Sequence, residues 1–320
     1  MNMRAAIVIT LANHHIHYCK ALIASINYFN PLFLIIVLKD GDFDTRFLEE
    51  FENVNIVSAR EVNKLHHLNL DGLLNKLNLF FLPEFGFEFD FYIHFDADSI
   101  LTHTINLEMF NDNCDFYILQ GGTINPSDDA AMNNMAKYAF RPADFPEYRF
   151  STSHLYFFSA SHIVLNRSMF PILIEMVRTH RYELNKVFLN DKRIKFNDQG
   201  FLNLAINLLL FEKRITVKLF DCGIYGRDNP HDNPLLNLEN VISKKETNVY
   251  FIHYTASSRR VLIEDHQYAD ILHFFLMLFY KNRKLDYYIS EFIRLIKFYY
   301  NWFIKRVKAR LKLWGILHST

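Results

Sequence analysis

Phe91-Tyr92-Ile93-His94-Phe95-Asp96-Ala97-Asp98-Ser99 is the stretch whose reading decides the fold. A short apolar run of this kind reads as a buried strand, and it ends in two carboxylates spaced to reach one divalent cation. Hard cations such as Mg²⁺ or Mn²⁺ take oxygen ligands and keep positions open for phosphate oxygens, so the pair points to a phosphorylated or nucleotide-linked substrate. The competing reading is a solvated turn with a helix cap. Position favours the cation, because open α/β sheets bind ligands just beyond the carboxyl ends of their strands.

Outward from this stretch the pattern is strand and helix in alternation. Residues 5–10 are a β-rich apolar run, followed by a polar turn at Asn13, His14 and His15. A helical pattern then runs through Cys19, Leu22, Ile23, Ile26 and Phe29. Residues 33–38 and 54–57 read as the next two strands, with a helix predicted over 45–51, which together favour a parallel sheet. Leu70, Leu73, Leu74, Leu77, Phe80 and Phe81 have helical spacing, and Pro83 with Gly86 is expected to stop that helix before the aspartate strand. Further on, 114–119 reads as a strand leading to Gly121-Gly122, 127–149 as a mobile loop over a site, and 155–165 as one strand. Helices are expected over 169–179 and after Asn197-Asp198-Gln199-Gly200, and a last strand over 249–253 ends in a polar, basic turn at 255–260.

Composition bounds the classes. The chain has 320 residues, 50% of them hydrophobic, which suits one large α/β domain or two small ones. Nine glycines and eight prolines leave little for linkers, and no internal repeat is visible. Three scattered cysteines, Cys19, Cys114 and Cys222, offer no zinc spacing and read as buried small hydrophobes in a reducing cytoplasm. The apolar start is too short for a signal peptide and merges into a strand pattern, so secretion is not expected. No run reaches the ~18 apolar residues of a spanning helix.

Net charge is zero, but residues 281–313 carry ten basic and two acidic side chains. That makes the segment +8 and the remainder −8. Within it Ile289, Phe292, Ile293, Ile296, Tyr300, Phe303, Val307, Leu311 and Trp314 recur at three- and four-residue steps on one helix face. A basic helix with such a face suits the interface of an anionic membrane, here through residues 281–314, with a partner helix as the competing reading. Nucleic acid is not an expected partner, because the acidic globule would be repelled.

In their joint order these motifs resemble the GT-A-type glycosyltransferases, and glycosyltransferase family 8 and its relatives in particular. The resemblance implies an α/β fold, a GT-A (Rossmann-like nucleotide-diphospho-sugar transferase) domain over residues 1–262, with a C-terminal basic amphipathic helical extension over 263–320. It implies that Asp96 and Asp98 bind Mn²⁺ or Mg²⁺ and that the cation holds the diphosphate of a nucleotide sugar donor, UDP-linked. His253 matches the family's third metal ligand, although the plain reading is a strand histidine satisfied by backbone. Thr10, Ala12 and Asn13 match the strand end that contacts the donor's base, and Lys76 matches a basic residue that reaches the donor, or else is a solvated lysine. Asp198 and Gln199 match the segment beside the transferred sugar, Asp198 orienting donor hydroxyls or acting on the acceptor and Gln199 near the anomeric carbon. Gly200 stands where the family has another carboxylate, and the competing reading of Asp198 is the N-cap of the next helix.

The family's lysine after the histidine is missing; Arg259 or Arg260 stands in as the cation for the departing diphosphate. The resemblance thus implies a metal-dependent, retaining hexosyltransferase acting on a cell-surface glycan or lipid-linked acceptor, peripheral on the cytoplasmic inner face of a membrane. Two rivals are a haloacid-dehalogenase-like phosphatase with Asp96 as nucleophile, and a non-catalytic membrane-associated scaffold.

Overall fold

The computed structural model describes residues 3–68, 70, 72–110, 114–142, 155–183, 197–226, 228, 230–254, 267–281 and 283–313. The chain opens with β1 (Ala5–Ala12), a 3₁₀ turn (Asn13–His15), α1 (Ile16–Phe29), β2 (Leu34–Asp40) and β3 (Val54–Ser58). Along β1, Ala6 and Val8 face one apolar layer while Ile7, Ile9 and Leu11 face the other, the two-residue alternation of a strand buried on both sides. Then come α2 (Ala59–His66), 3₁₀ turns over Gly72–Phe85, β4 (Phe91–Asp96) and β5 (Ser99–Leu101). β6 (Phe116–Ile118), β7 (Gly121–Ile124), α3 (Asp129–Tyr138), β8 (Leu155–Phe158), β9 (His162–Asn166), α4 (Met169–Glu183) and α5 (Asn197–Phe211) follow. The last elements are β10 (Val217–Leu219), β11 (Gly223–Tyr225), α6 (Leu238–Ile242), β12 (Phe251–His253), α7 (Ala269–Phe279) and α8 (Lys284–Leu313).

Seven strands form the main sheet in the order β10-β6-β9-β4-β1-β2-β3. The β4-β1-β2-β3 half is parallel, and β9 enters antiparallel between β4 and β6. The expected parallel sheet is therefore present as one half of a mixed one. Two small sheets flank it, β11-β12-β5 and β7-β8.

Four local expectations need correction. The helix predicted over 45–51 is a single 3₁₀ turn, Arg46–Leu48, because the chain turns back early: Phe51 N donates to Leu48 O and Val54 N to Phe51 O. The helical pattern at 70–81 becomes 3₁₀ turns that run through Pro83 to Phe85. The run at 155–165 is two strands in different sheets, broken where Ser159 N bonds Gln120 O and His162 N bonds Ser159 O. Finally, the region expected as loop contains α3, whose N-cap Asp128 accepts from the backbone N–H groups of Ala130 and Ala131.

α7 belongs to the core. Ile271, Leu272, Phe275 and Leu276 are fully buried in the layer that contains α1, worth roughly 1.5–3 kcal/mol each. The expected domain boundary at 262/263 lies outside the described residues. α8 is different: Tyr287 packs inward, while Ile289, Phe292, Ile293, Ile296, Tyr300 and Phe303 are exposed. The apolar face that the sequence marks thus points away from the globule. Its polar side is tied down instead, by Glu291 Oε1 at 3.0 Å from His17 Nδ1 on α1 and by the Tyr280 hydroxyl donating to Ser290 Oγ. Among the described residues no helix is long and apolar enough to cross a membrane.

Candidate donor and metal site

β4 ends at Asp96, opposite Thr10 of β1 in parallel register. Ala97-Asp98 then turns the chain out of the main sheet into β5, which pairs antiparallel with β12 so that Ser99 faces His253. Tyr254 N donates to Asp98 O at 2.7 Å and locks that turn to the end of β12. Sheet topology thereby brings two residues 155 positions apart together, with Asp98 Oδ1 3.6 Å from His253 Nε2. One ligand atom from each of Asp96, Asp98 and His253 lies within 4.8 Å of the others.

These residues fit a divalent cation. Two ligands each ~2.1 Å from one ion span at most about 4.2 Å, and the Asp98–His253 separation falls inside that. Asp98 is fully buried, and burying a carboxylate is costly without a compensating charge. Formally, Asp96, Asp98 and Asp198 carry three negative charges and Lys76 returns one, which a divalent cation would balance.

Lys76 is the centre of the second half of the site. Its ammonium lies 2.8 Å from Asp96 Oδ1 and 2.7 Å from Asp198 Oδ2, and it donates to Ser161 Oγ at 3.4 Å. Burial opposes this charge, but the carboxylates of Asp198 and Asp96 outweigh it and hold the lysine above its usual range. Asp96 is likewise disfavoured by burial and, with Lys76 as the main counterweight, held well below the usual carboxylate range. Ser161 Oγ donates to its other oxygen, Oδ2. The plain reading of Lys76 as a solvated lysine is excluded by its 9% exposure. Asp198 is not the helix cap either, since α5 starts at Asn197 and the Asp198 side chain turns to Lys76 from the first turn.

Other expected residues fall around this core. The Thr10 hydroxyl pairs with His94 Nε2 at 3.0 Å; burial pushes that imidazole down to about 4, so it is neutral at neutral pH. Ala12 ends β1 opposite Asp40, and Asn13 is exposed on the following 3₁₀ turn. Gln199 Nε2 donates to Tyr138 O at 3.2 Å and so ties α5 to α3. Arg259 and Arg260, with the basic turn at 255–260, lie outside the described residues.

Sequence reading missed three polar groups here. Gln120 Oε1 lies 3.2 Å from His253 Nδ1, Ser161 holds Asp96, and His162 pairs with Ser99 Oγ at 2.7 Å beneath the His253 ring. A polar residue directly after an apolar strand run and before Gly-Gly was the available signal for Gln120. Two asparagines on α5 complete the frame. Asn203 and Asn207 each bond both the N–H and the C=O of one β8 residue, Phe158 and Tyr156, so they stand in for a neighbouring strand.

The chain is similar in structure to the apo form of the bifunctional glycosyltransferase WbbM, with a TM-score of 0.54 and 18% identity over 87% of this chain and 50% of that one. It is also similar to the galactosyltransferase LgtC solved with donor and acceptor sugar analogues, with a TM-score of 0.51 and 14% identity over 86% of this chain and 95% of that one.

The fold is GT-A.

The chain spans about half the length of WbbM and nearly all of LgtC. No family model matches it, and no curated protein sequence matches it. At these identities the likeness speaks for the GT-A fold alone, and the chemistry must come from the site.

Proposed function

We propose that this chain is a metal-dependent glycosyltransferase that moves a hexose from a nucleotide sugar, UDP-linked, to a glycan or lipid-linked acceptor with retention of configuration. The observation that carries the reading is the convergence of Asp96, Asp98 and His253 at the carboxyl end of the central parallel strands, next to the buried Asp96–Lys76–Asp198 bridge. Asp96, Asp98 and His253 would hold Mn²⁺ or Mg²⁺. Such an ion supplies Lewis-acid stabilisation of the negative charge that grows on the departing diphosphate. Lys76 adds a fixed positive charge in a partly water-excluded site, where it acts more strongly than in water. Asp198, held 2.7 Å from that ammonium, would orient donor hydroxyls or act on the acceptor. The first strand's end, Thr10 to Asn13, borders the same edge and would receive the nucleoside, with Gln199 on the sugar side and Arg259 or Arg260 on the diphosphate.

The GT-A fold speaks against the phosphatase rival, and Asp96 is a poor nucleophile while one oxygen is paired to Lys76 and the other to Ser161. Incubation with a panel of nucleotide sugars and mass detection of released nucleoside diphosphate tests the reading. Release that needs Mn²⁺ or Mg²⁺ and stops on Asp98→Ala supports it. A covalent phosphoaspartate at Asp96, or release unaffected by chelation, would replace it.

The exposed apolar face of α8, set among basic residues, favours a second element: attachment of the protein to the cytoplasmic face of an anionic membrane. Flotation on anionic vesicles, absent on neutral ones, is the expected result, and equal binding to both removes the electrostatic part.

A further inference from the structure

Resting on the proposed metal site, we propose that Gln120 is a positioning residue, which holds the His253 imidazole in the tautomer whose Nε2 takes the cation. Gln120 Oε1 lies 3.2 Å from His253 Nδ1, and the two residues are 3% and 7% exposed. With an oxygen at Nδ1, that nitrogen carries the hydrogen, and Nε2 turns its lone pair toward Asp98 Oδ1, 3.6 Å away. Two lone pairs facing across that gap repel unless a cation lies between them. The other tautomer would put an N–H on Nε2, aimed at the carboxylate, and that contact would compete with the metal. Selecting the tautomer therefore decides whether the Asp98–His253 pair is a ligand set or a closed hydrogen bond.

The backbone at Gln120 is built to hold this position. On one side, Leu119 N donates to His162 O at 3.0 Å; at the residue itself, Ser159 N donates to Gln120 O at 3.0 Å. On the other, Gly121 adopts φ +154°, where a Cβ would come within 2.6 Å of Phe157 O and Phe158 Cα. The chain leaves β6 at a fixed angle, and the glutamine is delivered under β12. The plane of the His253 ring is fixed separately. His162 lies 4.4 Å from it, stacked in turn on Phe251 at 4.3 Å and anchored to Ser99. What packing leaves open is which nitrogen bears the hydrogen, and Gln120 closes that choice.

Substitution by Met removes the acceptor at similar length, while an ionised Glu can only accept at Nδ1. Two readouts follow: the His253 tautomer in metal-free protein, from long-range ¹⁵N–¹H spectra assigned with His253→Asn, and Mn²⁺ affinity from the free-Mn²⁺ electron paramagnetic resonance signal. Wild type is expected as the Nδ1–H form, and Gln120→Met is expected to move toward Nε2–H and to bind Mn²⁺ roughly 10–100-fold more weakly. Gln120→Glu is expected to keep the wild-type tautomer and most of the affinity. If the Met variant does not fold, Gln120→Asn, too short to reach Nδ1, carries the same comparison. A Met variant with wild-type tautomer and affinity overturns the role of Gln120 and leaves the metal site standing. A tautomer change in a protein that binds no Mn²⁺ removes the metal reading and, with it, this assignment.

Discussion

Replacing Lys76 by Met removes the ammonium that lies 2.8 Å from Asp96 and 2.7 Å from Asp198 while keeping the volume of its stem. Both carboxylates are mostly buried, with side chains 19% and 6% exposed, so neither recovers full hydration when the lysine goes. Breaking a buried pair from one side costs about 3–5 kcal/mol. At a urea slope of ~3 kcal/mol/M, the unfolding midpoint should fall by about 1–1.7 M in chelator. The sign of the pH dependence follows from Asp96, whose folded-state pKa is depressed in the wild type. Its stabilisation is present above its unfolded pKa of ~3.9 and is lost only as pH falls through the lower folded value. In Lys76→Met the same carboxyl is buried without its cation, its pKa rises, and lowering the pH neutralises it. The deficit should therefore be largest near neutrality and shrink toward about pH 5. Urea unfolding of both proteins at the two pH values measures this, and a variant within about 1 kcal/mol of wild type at neutrality would refute the buried bridge.

Asn203→Leu should cost about 1–3 kcal/mol for each backbone group of Phe158 that is left buried and unpaired, read by the same titration. It should also lower activity more than stability alone explains, because α5 carries Asp198. Glu291 is disfavoured by burial, yet the hydrogen bond and charge of His17 together with Arg294 depress its pKa to about 2. That depression stabilises the docked α8 above the ordinary glutamate range and is lost as pH falls toward about 2. Because burial also lowers the pKa of His17, its charge is absent at neutral pH, so the destabilisation caused by Glu291→Gln, followed by hydrogen exchange on α8, should there reflect the hydrogen bond and Arg294 and should fade as pH falls toward about 2.

What the sequence made legible was local. The Asp96-Ala97-Asp98 pair follows a buried-type run, so strand, strand end and carboxylates are all in one window, and the βα start at residues 5–29 is equally compact. Lys76 was singled out by the family resemblance alone, and the helical pattern around it cannot distinguish α from the 3₁₀ turns found. Gln120, Ser161 and His162 were hidden because their partners lie 133, 65 and 63 residues away, and only the sheet order brings them together. The break at Ser159-Ala160-Ser161 was present as three small residues inside an apolar run, but apolar neighbours on both sides masked it. α3 was missed because Asp129, Asn133, Asn134 and Lys137 interrupt its apolar residues and only Met135 among them is buried, while its cap, Asp128, was readable. The periodicity of α8 predicted an apolar face correctly, but periodicity does not say whether that face turns to the core or to solvent.

The central claim is that Asp96, Asp98 and His253 hold a divalent cation that in turn holds a nucleoside diphosphate. Thermal unfolding of the full chain with UDP, in Mn²⁺ and in chelator, beside Asp98→Asn, tests it most directly, since a ligand that binds only the folded state raises the melting temperature by mass action. The expected result is a rise with UDP that requires Mn²⁺ and is absent in a folded Asp98→Asn variant. An equal rise in chelator, or no rise with any nucleoside diphosphate in Mn²⁺, would contradict the account.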